Sequence, residues 1–205
     1  MTEGKAGYHH RDLSSALVRA GLELTREGGP DALGIREATR RAGVTPTAAY
    51  RHFANRRALL QAVNAEIQDR VAERMRAPRP RGGTPATRAK ARLRAVGLGY
   101  IEFALAEPGW FAVSFFGAAE GGPGTSTERV PPPYIALVEA LDAMTDAGVL
   151  TPAQRAQAEW PCWSAVHGFA ELVLHGPLRD RDPGLVERLA ARAVDAIIAG
   201  ITVSA

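Results

Sequence analysis

The segment Arg36–Leu60, REATRRAGVTPTAAYRHFANRRALL, decides the fold. It holds a short helical stretch, a glycine turn, a second stretch that looks too short to stand alone, and the opening of a third. Gly43 can take a positive φ, and Val44 can anchor the turn into the core. Thr45 can cap the next helix, and Pro46 fits its first position, where a missing N–H is no loss. Ala49 and Phe53 are four apart, so they can share one inward face. That leaves Pro46, Thr47, Ala48, Tyr50, Arg51 and His52 at or near the outer face. Helix, tight turn, short helix is the helix-turn-helix order. It brings the start of the second helix toward a phosphate backbone or groove floor. A Tyr-Arg-His-Phe run taken alone would sooner be an amphipathic surface.

Outward from this segment, apolar residues recur at three and four, the helical spacing, and strand signals are weak. Leu13, Ala16, Leu17, Ala20 and Leu24 line one face of a helix predicted over 11–27. GGPDALG breaks it, with Gly28 suited to stop a helix and Pro30 unable to continue one. Short helices follow from Ile35 to Arg41 and from Pro46 to about His52, then a long one over 55–76. Residues 77–85, APRPRGGTP, read as a linker. Further helices are predicted over 86–106, across GWFAVSFF and over 134–147, with a flexible Gly/Pro-rich loop at 117–133. Thr151 and Pro152 start a helix that runs toward His175 and must kink or split at Pro161. Asp182 and Pro183 start the last one, which carries Leu185, Val186, Leu189, Val194, Ile197 and Ile201. The expectation is an all-α chain of about nine helices. A three-helix DNA-binding domain over 1–56 precedes a helical bundle over 57–205.

The 205 residues suffice for a real core. Formal net charge is +3, unevenly spread. Residues 1–58 hold ten Lys/Arg against six Asp/Glu, a balance of +4; the rest hold fifteen against sixteen, a balance of −1. A basic excess at the helix-turn-helix end suits a polyanionic partner, and a solvated, mildly basic surface equally. The lone Cys162 excludes an intrachain disulfide framework. No stretch reads as a signal peptide or membrane span, so the expected setting is cytoplasmic, with no membrane partner.

Arg36–Leu60 resembles the DNA-binding signature of the TetR/AcrR-type transcriptional regulators. The resemblance rests on the Gly43-Val44 turn, the Tyr-x-His-Phe of Tyr50 to Phe53, and the Ala-Leu-Leu that opens the next helix. It implies a base or phosphate contact for Arg36, base reading for Thr47 and Ala48, and backbone contact near Tyr50 and His52. Arg56 stands where the family usually has a phosphate-gripping lysine, and arginine would do that job with a different geometry. Two positions depart from the pattern. Gly34 replaces a Ser or Thr, which removes a cap and a phosphate contact. Thr39 puts a hydroxyl on a helix–helix contact.

The C-terminal part is similar to a TetR subtype marked by Trp-x-x-x-His-Gly, here Trp163, His167 and Gly168. That implies a ligand-binding and dimerisation domain with the last two helices at a twofold axis. The aromatic residues permit two readings: Phe103, Trp110, Phe111, Phe115, Tyr134, Trp163 and His167 line an apolar effector pocket, or they fill a core. Gly168 is expected to permit a close helix approach.

Three function classes follow. The first is a homodimeric regulator, a repressor released from double-stranded operator DNA by a small-molecule effector. The second is an enzyme, for which the sequence offers little. His9, His10, His52, His167 and His175 lack metal-ligand spacing with a partner, Cys162 lacks a sequence-level base, and no Gly-rich phosphate loop precedes a helix. No catalytic residue, metal or cofactor is expected. The third is a helical binding or scaffold protein that has lost specific DNA binding, a reading kept open by Gly34 and Thr39.

Overall fold

The structure, a computed structural model, describes residues 4–76, 82–115 and 130–203. Among the described residues there are ten α-helices, one 3-10 turn and no strand. They are α1 (Gly4–Gly28), α2 (Ile35–Ala42), α3 (Pro46–Tyr50), α4 (Arg56–Met75), α5 (Pro85–Ala106), α6 (Pro108–Phe115), α7 (Pro132–Asp146), α8 (Pro152–Arg155), α9 (Glu159–Leu174) and α10 (Pro183–Thr202). The 3-10 turn, Pro30–Ala32, follows α1. Most of the loop predicted at 117–133 and half of the linker at 77–85 lie outside the described residues.

The helix boundaries follow local chemistry. Asn55 Oδ1 accepts from the Ala58 amide at 2.9 Å and so caps α4. At α8, Thr151 Oγ1 accepts from the Gln154 amide while Gln154 Oε1 accepts from the Thr151 amide, a reciprocal capping box. Asp182 caps α10 through the Leu185 amide at 2.8 Å, with Pro183 in the first position. The tenth helix comes from the segment after Thr151, which does split, but upstream of Pro161. α8 ends at Arg155, Gln157 takes a φ of 62°, and α9 begins at Glu159. Pro161 thus sits in the first turn of α9, where its missing N–H leaves no intrahelical bond unmade. α1 also begins before the predicted Arg11, at Gly4.

The chain forms two compact units, and the boundary falls inside α4, after Gln68. The first unit runs to Gln68 and takes up the chain again from Glu107, so it includes α6. A division by sequence at 56/57 leaves out both the first turns of α4 and this returning helix. In the first unit α1 packs on α2, α3, the 3-10 turn and α6. Its core holds Leu17, Leu33, Leu59, Leu60, Val63 and Ile67. α6 lies close on the end of α1, since a Cβ on Gly109 would stand only 2.4 Å from the Thr25 carbonyl oxygen. The Trp110 indole N–H donates to the Leu22 carbonyl at 2.8 Å. Arg26 holds Glu107 through two 2.6 Å hydrogen bonds and covers the Trp110 ring at 5.2 Å.

In the second unit α5 packs on α7, α9 and α10, and α9 packs on α10. Tyr100, Ile101, Leu141 and Met144 are fully buried there. Each of these helices turns a wide apolar stripe inward, and this joint burial stabilises helices of such length.

Candidate functional site

The helix-turn-helix consists of α2, the turn and α3. Gly34 precedes α2 with φ −117° and ψ 143° and offers no side-chain cap, as its identity implies. Thr39 is 2% exposed, yet its hydroxyl donates to the Arg36 carbonyl at 2.8 Å. The buried hydroxyl is therefore satisfied within its own helix and does not demand a partner across the contact. Gly43 adopts the left-handed conformation, φ 69° and ψ 31°, and closes α2. The Val44 amide then reaches back to the Thr39 carbonyl at 3.0 Å, with the Val44 side chain half-buried.

Thr45 Oγ1 accepts from the Ala48 amide at 3.3 Å, and Pro46 opens α3. Ala49 is 0% exposed and Phe53 8%, so these two hold α3 against the unit. Pro46, Thr47, Tyr50 and Arg51 are exposed, Ala48 and His52 half-exposed. Tyr50 is 55% exposed and stands outward with these neighbours. Arg36, Arg40 and Arg57 are exposed on the flanking helices, while Arg41 ties α2 to Glu27 of α1 at 3.3 Å.

Arg56, for which the resemblance implies a phosphate grip, has backbone partners within the unit. Its Nε donates to the Leu33 carbonyl at 2.7 Å and its Nη2 to the Pro30 carbonyl at 2.6 Å. Asp31 lies 3.9 Å away. The guanidinium stitches the start of α4 to the 3-10 turn, a job for which its planar fork is suited and an ammonium is not.

The candidate pocket residues are divided between the two units. Trp110 and Phe111 are 9% and 2% exposed and stand in the core of the first unit, where Gly109 and the Leu22 carbonyl fix α6. The Phe115 side chain lies outside what the structure describes. Phe103, Tyr134, Trp163 and His167 belong to the second unit. That unit has an apolar cavity with about 20 Å³ of room, space for roughly one water. Trp163 lines it, together with Leu93, Val96, Gly97 and Tyr100 of α5, Cys162 and Val166 of α9, and Val194, Ile197 and Ile198 of α10. Phe103, Tyr134 and His167 are not among its lining residues. Tyr100, which sequence reading passed over, is the central one. Its place in the buried series Leu93, Val96, Tyr100, Ala104 was the available signal.

Two polar pairs involve α9 and its end. The Tyr100 hydroxyl and His167 Nδ1 are 3.1 Å apart, and the Tyr100 ring meets Trp163 edge-on at 5.4 Å. His175 Nδ1 lies 2.9 Å from Glu171 Oε2, while Glu171 Oε1 is buried without a hydrogen-bond partner. Burial pushes the Tyr100 hydroxyl well up, with the Glu171 charge adding to it. Burial lowers His167, against a smaller opposing pull from Glu171. The Cys162 thiol is pushed up to about 11, chiefly by burial, so it stays protonated near neutrality. Gly168 is exposed, and a side chain there would meet nothing within 4 Å. Among the described residues it therefore mediates no close helix approach. Among the described residues no group of His, Cys, Asp or Glu has the arrangement of a metal site, and no helix is long and apolar enough to cross a membrane.

Comparison with known proteins agrees with this geometry. Residues 17–63 match the family of bacterial regulatory proteins known as the tetR family, and residues 93–197 match the tetracyclin repressor-like C-terminal domain. No curated protein matches the chain. Among solved structures, a Rhodococcus sp. RHA1 protein of unknown function is similar at TM-score 0.71 and 24% identity, over 92% of this chain and 94% of that one. The transcriptional regulator SCO7222, a TetR from Streptomyces coelicolor, is similar at TM-score 0.68 and 19% identity, over 91% and 96%. A TetR variant from Acinetobacter baumannii AYE in complex with minocycline is similar at TM-score 0.62 and 22% identity, over 90% and 93%. At these identities the likeness concerns the fold. The two family matches span the helix-turn-helix and most of the second unit, and the chain belongs to the TetR family, as a DNA-binding transcriptional regulator.

Proposed function

We propose that the chain acts as a homodimeric repressor that holds operator DNA with two α2–turn–α3 heads and lets go when a small molecule occupies its second unit. One observation carries this reading. α3 buries only Ala49 and turns Pro46, Thr47 and Tyr50 outward, and Phe53 just beyond its end is buried. A five-residue helix so mounted is a reading tip. Arg36 and Arg51 stand exposed near it as cationic groups for phosphate. Arg56 ties the start of α4 to the 3-10 turn that precedes α2.

A dimer follows from the short reach of one head, which spans only a few base pairs. Exposed apolar and small residues support the last two long helices as its interface. On α9, Trp160 (59% exposed), Ser164, Gly168 and Leu172 (45%) recur every four residues. On α10, Ala196, Ala199 and Gly200 are exposed, followed by Val203. The open space at Gly168 suits the approach of a second chain. The Trp163, His167 and Gly168 element supports the Trp-His-Gly subtype for the C-terminal part. We read the chain as a binding protein of the cytoplasm rather than an enzyme, since membership in a family of regulatory proteins supports binding over catalysis.

The test is a salt titration against fragments of the protein's own genome. A repressor binds one site tightly, with log affinity falling steeply against log salt. Tyr50→Ala should weaken that binding while changing stability by no more than about 0.5 kcal/mol, because the ring is exposed. If Tyr50→Ala and Thr47→Ala both bind like wild type, the face is wrong. If every fragment binds equally weakly, the scaffold reading replaces the repressor. Light scattering at micromolar concentration tests the dimer, and a monomeric mass would exclude it.

A further inference from the structure

The cavity of the second unit carries a statement about ligand chemistry, which rests on the reading of that unit as an effector site. Its walls come from five helices. Leu93, Val96 and Gly97 supply α5, Val166 supplies α9, and Val194, Ile197 and Ile198 supply α10, with Met75 and Leu137 from α4 and α7. The only heteroatoms on the lining side chains are the Tyr100 hydroxyl, the Cys162 thiol, the Trp163 indole nitrogen and the Met75 sulfur. The Tyr100 hydroxyl already faces His167 Nδ1 at 3.1 Å, and the thiol stays protonated. No lining residue carries a formal charge. The nearby carboxylate, Glu171, is not part of the lining and holds His175 through Oε2.

We propose that this cavity takes a compact, uncharged molecule of hydrocarbon character. Moving a charged group into such a lining would forfeit its hydration with nothing to replace it. An apolar ligand loses little and gains contact with the branched side chains of α5, α9 and α10. The room now present holds about one water, so the ligand enters by parting the walls. α5 and α10 meet tightly here: a Cβ on Gly97 would lie 3.2 Å from both methyl groups of Val194. Parting them displaces α10, and the differential affinity for the parted state is the free energy available to shift the protein between its two states.

The sole cysteine of the sequence, Cys162, lines the cavity and reports on its occupancy. The experiment follows alkylation of Cys162 in the full chain, in mildly alkaline buffer, with toluene, benzoate or benzylammonium. These probes share size and shape and differ in charge. Toluene at about ten times its Kd should slow alkylation about tenfold, by the factor 1 + [L]/Kd. Equal concentrations of the two ions should leave the rate unchanged. Val194→Ala enlarges the cavity and should give the same protection at lower toluene concentration. Protection by benzoate equal to that by toluene overturns the proposal. So does stronger protection by benzylammonium, which would make the buried Glu171 Oε1 the recognising group. If toluene protects neither wild type nor Val194→Ala, the cavity is a packing void and the proposal fails. Operator binding, titrated in parallel, shows whether the DNA-binding reading survives that outcome.

Discussion

Arg56→Ala separates two roles that the sequence runs together. If Arg56 gripped phosphate, its loss would cost operator affinity and leave the fold intact. In the structure the guanidinium instead satisfies the Leu33 and Pro30 carbonyls at 2.7 and 2.6 Å, with its side chain 33% exposed. A hydrogen bond from a charged donor contributes about 1.5–3 kcal/mol where water cannot replace it. Here water reaches part of the site, so the two together are worth about 2 kcal/mol rather than their full sum. With a urea m-value of about 2 kcal/mol/M, the unfolding midpoint should fall by about 1 M. Arg56→Lys should recover about half, since an ammonium serves one carbonyl well but not both. Operator binding of the folded variant, followed by fluorescence anisotropy, should keep its salt slope. A lost phosphate contact would instead lower that slope by about 0.9 per head, or about 2 for a dimer. An unchanged urea midpoint together with a slope lower by about 2 would refute the structural role.

Three further outcomes are expected. Gly34→Ser restores a side-chain cap at a backbone conformation any residue adopts, with open space around the new Cβ. It should add a few tenths of a kcal/mol to thermal stability and tighten operator binding, and a loss of both would contradict the geometry. Gly109→Ala drives a Cβ to 2.4 Å from the Thr25 oxygen and 2.5 Å from that of Arg26. It should destabilise by about 1–3 kcal/mol in chemical denaturation, since backbone yields less readily than a side chain. His167 is held below its ordinary pKa of 6.5 by burial, so the unfolded chain takes up its proton first on acidification. This contribution to stability is fully present above pH 6.5 and is lost as pH falls below it. Melting curves across that range should show a drop that His167→Gln makes shallower, and an identical pH dependence in the variant would rule the histidine out.

Much of the fold was legible because caps and apolar spacing act locally. Thr45-Pro46, Thr151-Pro152 and Asp182-Pro183 each open a helix as their chemistry requires. The outward row of α3 followed from Ala49 and Phe53 alone. Sequence reading faltered where a residue's partner lies far along the chain. GWFAVSFF gave a helix, yet nothing in its pattern says that Trp110 finds a carbonyl 88 residues earlier. A dense aromatic run suggests a pocket and a core alike, and only tertiary placement decides which. Arg56 shows the same limit. Its position matches a phosphate-gripping lysine, but its hydrogen bonds run to Leu33 and Pro30, and backbone carbonyls have no sequence signature. The break at Gln157 was also hidden, because Pro161 is the louder signal and needs no break where it stands.

The return of the chain to the first unit has a consequence for protein engineering. Joining the reading head of one regulator to the sensor of another usually treats the head as an N-terminal cassette. Here a cassette cut at Gln68 would leave Leu22 without its indole partner, Arg26 without Glu107, and the end of α1 uncovered. A working graft must carry residues 107–115 with it, as a second insert further along the recipient. The same order holds during synthesis: the head cannot close until α6 has left the ribosome, so α5 emerges while α1 still waits for its cover.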